Sequence, residues 1–165
     1  MSDAVRLLTQ VHTAISLVGI ASGAVWLWGV LRGLALPRWT GVFLVFTILT
    51  SVTGYFFPFH RLMPSHVVGA ISLVVLAVVL WARYGQPLMG GWGRVFVVGG
   101  VAALYFNVFV LVAQLFDKVP ALHELAPTQS EPPFGVAQLV VLVIFVGLGI
   151  AAFRRTPSAA ARPAV

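Results

Sequence analysis

The sequence predicts an all-α integral membrane bundle of five transmembrane helices, with the N-terminus outside and the C-terminus in the cytoplasm. Three observations carry that expectation. Of the 165 residues, 60% are hydrophobic and 8% charged, against about 25% charged in typical soluble chains, so the apolar surface needs lipid as its solvent. Several uninterrupted runs reach the roughly 20 apolar residues that span a bilayer as helix. The basic residues divide unevenly between the two ends of those runs. Arg32, Arg38, Arg83, Arg94, Arg154, Arg155 and Arg162 make seven on one side, and Arg6, Arg61 and Lys118 make three on the other. The positive-inside rule sets the richer side in the cytoplasm.

The first span is expected at 12–31, after the polar residues Ser2, Asp3, Arg6 and Gln10. A cleaved signal peptide ending near Ala21-Ser22-Gly23-Ala24 is the rival reading, but the apolar run continues through Trp26 and Trp28, longer than such a peptide needs. Arg32, Gly33, Pro37 and Arg38 form a short basic loop before the second span at 39–57. Residues 58–65 form an outward exit loop, and Ser65 is a natural N-cap for the third span at 66–82. Arg83 to Arg94 reads as a Gly-rich cytoplasmic turn, without the strand, lysine and helix of a phosphate-binding loop. The fourth span is expected at 95–116 and the fifth at 135–153, with 154–165 a disordered cytoplasmic tail. Between these two spans, 117–134 is the longest polar segment. It is Pro-rich and expected to lack secondary structure, folding back over the outer helix ends as a cap.

Composition excludes several chemistries. There is no cysteine, so disulfides, thiolate catalysis, Cys-ligated zinc and iron–sulfur clusters are ruled out. The net charge of +6 comes from scattered loop residues rather than a basic patch, so no nucleic-acid partner is expected. No acidic residue lies inside a span, and no Ser/His/Asp set sits in an apolar run, so no catalytic residue is assigned.

Polar groups within a bilayer need a partner or a role, and here they fall in stripes. Gly19 and Gly23 form a GxxxG below His12 and Ser16; Thr47, Thr50 and Gly54 share a face of the second helix; Gly100, Asn107 and Gln114 share one on the fourth, and Gln138 and Gly149 one on the fifth. One reading is helix packing, with small residues such as Gly19, Gly23, Gly54, Gly100 and Gly149 admitting a neighbouring backbone. The other is an outward-opening polar pocket formed by His12, Thr50, His66, Asn107, Gln114 and Gln138, with 127–134 over its mouth. All four histidines, His12, His60, His66 and His123, fall on the outer side in this topology. Imidazoles from two helices could hold haem b, or a divalent metal (copper or zinc) with Glu124 or Glu131. There is, however, no HxxxH or HExxH spacing, and no histidine on the inner side for a second haem.

The strings TSVTGYFFPFHRLMPSHVVGAISLVVLAVVLWARY and ALYFNVFVLVAQLFDKVPALHELAPTQSEPPFGVAQLVVL carry a resemblance. Across most of residues 12–153 the chain resembles a family of small, uncharacterised multi-pass inner-membrane proteins of proteobacteria, most specifically in PSH and LAPTQSEPPF. The resemblance implies a bacterial cytoplasmic membrane and transfers no activity. The functional expectation is a non-catalytic accessory or interaction protein whose partners are the lipid bilayer and a larger membrane complex or a second copy of itself. The alternatives are a haem-, metal- or quinone-binding protein and a small oligomeric transporter or channel.

Overall fold

The computed structural model of the chain describes residues 3–57, 64–88 and 91–156. Among them the structure is all helix. In order come α1 (Asp3–Arg32), α2 (Pro37–Thr53) with a 3₁₀ turn at Gly54–Phe56, α3 (Pro64–Leu80) ending in a π-turn at Trp81–Gly85, α4 (Gly91–Lys118), the single-turn α5 (Pro120–His123) and α6 (Pro132–Arg155). Five of these, all but α5, are long and apolar enough to cross a membrane.

Local chemistry sets the ends. Gly33 takes a left-handed φ of 70° after α1. Its N–H donates to Val30 and that of Leu34 to Gly29, the paired bonds that close a helix C-terminus. Prolines open α2, α5 and α6 in the first turn, where a missing N–H costs no hydrogen bond.

The helices run further than the apolar runs that announce them. α1 starts at Asp3, so Arg6 and Gln10 are helical. α3 begins at Pro64, which places Ser65 inside the first turn rather than at the cap. The expected loop from Arg83 to Arg94 is largely helix: the π-turn continues to Gly85 and α4 resumes at Gly91. The tail expected at 154–165 starts later, since Arg154 and Arg155 form the last turn of α6; 157–165 lies outside the described residues. The segment 117–134 is not without structure. It holds the end of α4, all of α5 and the start of α6. In each case backbone hydrogen bonding continues past the point where side chains turn polar, and hydropathy registers only the side chains.

α4 is the hub and touches each of the other four long helices. Trp26 of α1 is stacked on Phe43 of α2 at 5.1 Å and meets Phe96 of α4 edge-on at 5.7 Å. Around it close Leu27, Leu44, Leu76, Val79 and Leu104. The small residues let this happen. A Cβ on Gly23 would lie 2.6 Å from Leu104 Cδ1 and 2.8 Å from Phe43, one on Gly99 would lie 2.5 Å from Val79 Cγ2, and one on Gly100 would run into the Trp26 ring. A Cβ would fit at the others in ordinary van der Waals contact: on Gly19 it would lie 3.5 Å from the Phe46 backbone, on Gly149 3.7 Å from Val101, and on Gly54 3.8 Å from His12. α6 lies at the edge, against α4 and more lightly α1.

Candidate functional site

The neighbouring helices run in opposite directions, so the bundle has two ends. One carries His12, Tyr55, His66, Phe116 and Phe134; the other carries Arg32, Arg83, Arg94 and Arg154. The expected pocket falls at the histidine end and in the layer beneath it.

His12 and His66 are both held by the corner closing α2. Thr53 Oγ1 donates to Leu49 O at 2.6 Å and lies 2.8 Å from His12 Nδ1. With the hydroxyl proton directed to Leu49, Nδ1 is the donor of the His12–Thr53 bond. The lone pair of neutral His12 therefore resides on Nε2. The ring also meets Phe57 edge-on at 5.3 Å. His66 is buried, its carbonyl accepts the Tyr55 hydroxyl at 2.8 Å, and the two rings are 5.9 Å apart. The two imidazoles thus use different residues of one corner.

Deeper in, polar groups meet in pairs. Asn107 Nδ2 donates to Thr47 Oγ1 at 3.2 Å, Ser51 donates to Ser72 at 3.2 Å, and Gln138 Nε2 donates to Phe109 O at 3.1 Å. These groups are buried, and each bond satisfies a donor that apolar surroundings would penalise. Gln138 Oε1 is buried and finds no hydrogen-bond partner among the described residues.

Other residues assigned to the pocket lie elsewhere. Thr50 is half-buried and donates to Phe46 O on its own helix at 2.8 Å, and the Asn107 amide meets Thr47 instead. Gln114 is exposed. His123, the last residue of α5, and Glu124 beside it are exposed. Among the described residues no group of three or more His, Asp or Glu is placed to hold one metal ion; His60 lies outside the described residues.

The segment before α6 folds back on α4. Gln129, at φ 57°, donates through its side chain to Ala113 O at 2.9 Å; Ala126 is wholly buried, and Phe116 meets Phe134 edge-on at 5.4 Å. The Glu131 carboxylate gathers the Thr128 amide at 3.2 Å, the Thr128 hydroxyl at 2.9 Å and the Ser130 amide at 3.1 Å. Desolvation works upward on this carboxyl, and the hydrogen bonds together, that of the Thr128 side chain foremost, outweigh it and hold its pKa below the ordinary glutamate value.

Two hollows in the surface lie away from these residues. One, of about 330 Å³, sits at the loop Ala35–Trp39. The other, of about 480 Å³, is a groove between α4 and α6 lined by Val98, Ala102, Tyr105, Phe145, Gly149 and Arg154 among others. Sequence reading overlooked Ser72 and Arg94. Ser72 had a signal, a lone hydroxyl in a strongly apolar run. Arg94 was counted only for topology.

No protein-family model matches the chain, and no curated protein or solved structure is significantly similar to it.

Proposed function

We propose that the chain is a multi-pass protein of a bacterial cytoplasmic membrane, N-terminus outside and C-terminus cytoplasmic, that serves as a non-catalytic accessory subunit of a larger membrane complex. The uneven split of basic residues supports the orientation. The resemblance to small proteobacterial inner-membrane proteins supports the compartment. The observation that carries the accessory role is the pairing of the interior polar groups. Asn107 binds Thr47, Ser51 binds Ser72 and Gln138 binds Phe109 O, so they hold helices to one another rather than line a substrate path. α6 meanwhile keeps a broad apolar face for a partner helix: Val136, Leu139, Val143 and Ile144 are 59%, 58%, 62% and 53% exposed.

The test is extraction of the tagged chain from its native membrane in mild detergent. A discrete high-mass assembly of fixed stoichiometry is expected. Leu139→Trp and Val143→Trp should release the chain from it while the chain itself stays folded. A monodisperse chain carrying no partner overturns the accessory role.

One observation favours a second reading, a cofactor or quinone bound at the histidine end. The Thr53 bond leaves the Nε2 lone pair of His12 for an outside ligand. Oxidised and reduced spectra with metal analysis distinguish the two: a Soret band or stoichiometric metal, lost in His12→Ala, replaces the accessory reading with this one.

A further inference from the structure

The groove between α4 and α6 combines three features that no interior packing accounts for. Its walls are almost wholly apolar. Val98, Val101 and Tyr105 of α4 face Leu142, Phe145 and Ile150 of α6. It runs along α6 from Leu142 to Arg154, about 18 Å at 1.5 Å per residue. That is close to one leaflet's share, roughly 15 Å, of the hydrocarbon core. One end of it is cationic. Arg154 lines the groove there, and the Arg94 guanidinium lies over the ring of Phe153, another lining residue, at 4.6 Å. Arg94 Nε is buried and finds no acceptor among the described residues.

We infer that this groove binds one anionic phospholipid, with an acyl chain along α4 and α6 and the phosphate between Arg94 and Arg154. The depth fits a chain from the leaflet on the arginine side. The phosphate supplies acceptors for the Arg94 Nε–H and the Arg154 fork, the charge-assisted geometry that guanidinium groups favour. Basic pockets beside transmembrane helices take anionic headgroups for the same reason. Phe153 keeps the Arg94 guanidinium at the mouth of the groove through the face of its ring. The inference rests on the chain lying in a bilayer and not on the accessory role, so either can fail without the other.

The experiment is native mass spectrometry of the detergent-purified full chain, with phosphatidylglycerol and phosphatidylcholine of equal chain length supplied in turn. One phosphatidylglycerol per chain should survive delipidation, held at least about tenfold more tightly than phosphatidylcholine, whose choline cation offsets its phosphate charge and is repelled by the two guanidinium groups. Arg154→Gln should remove that preference, and Ala102→Phe, which fills the groove without touching the arginines, should remove binding of both lipids. Arg38→Gln, at the same end on α2 and outside the groove, should change neither. Equal retention of the two lipids by the unaltered chain, a preference that survives Arg154→Gln, or a two-chain species in place of the chain–lipid adduct overturns the inference. The first comparison needs no variant, so a misfolded mutant does not leave the question open.

Discussion

The side-chain amide of Asn107 donates to the Thr47 hydroxyl at 3.2 Å, joining the interior of α4 to that of α2 through two buried residues. A double-mutant cycle with Asn107→Ala and Thr47→Ala, read as unfolding free energy in detergent, should give a coupling of about 0.6 kcal/mol, the mean for hydrogen bonds between membrane helices, and no more than about 1.7. A coupling indistinguishable from zero would mean that the bond holds nothing together.

The close approach of α1 and α4 rests on Gly100. Trp26 is fixed between Phe43 and Phe96, so its ring has little room to yield to an added methyl. Gly100→Ala should therefore destabilise by roughly 1–3 kcal/mol, the usual cost of overpacking. A Cβ on Gly147, inside α6, meets nothing within 4 Å. Gly147→Ala should stabilise by up to about 1 kcal/mol through helix propensity. Thermal denaturation of the two variants side by side checks the contrast, and equal shifts would contradict the packing account.

Reporter fusions test the proposed orientation. Fusions after Val165 and after Gly91 should both report from the cytoplasm, and one at Thr128 from the outside. A cytoplasmic signal at Thr128 would invert or break the five-span arrangement.

The Glu131 turn should be acid-sensitive. Because its pKa in the folded chain is depressed, the carboxylate's bonds to Thr128 and Ser130 contribute fully above the ordinary glutamate pKa. That contribution disappears as pH falls through the lower folded value. Amide exchange at Thr128 and Ser130, corrected for the intrinsic pH dependence, should accelerate across that window and be insensitive to it in Glu131→Gln. Protection that persists below the folded pKa would show that the turn does not depend on the charge.

The five apolar runs and the close-packing Gly23 and Gly100 were legible because both are one-dimensional signals: hydropathy summed along the chain, and small residues at helical spacing; Gly99, as tight against Val79, was not singled out. The partner of each polar group was not. Thr47 and Thr50 read as equals on one face of α2, yet three residues of helix leave them roughly 60° apart in azimuth. That angle sends Thr47 to Asn107 and Thr50 back to Phe46 O. Gln114, two turns beyond Asn107, shares its stripe but lies where the bundle opens and is exposed. The segment 117–134 was read as a loop stiffened by its prolines, whereas Pro120 and Pro132 begin helices. No local signal marks Gln129 as the residue that ties this segment to Ala113 O in a left-handed conformation.

The position of α4 as the hub has a bearing on how the chain is made. Synthesis delivers α1 and α2 first, and these two pack closely on each other, so they can leave the translocation machinery as a finished pair. α3 follows with its main contact, α4, still inside the ribosome. Until α4 is made, Val79 has no Gly99 to close over. Between completion of the third helix and arrival of the fourth, the face of α3 that α4 covers is open. α6, which fits onto an assembly already complete, is the helix whose late arrival matters least.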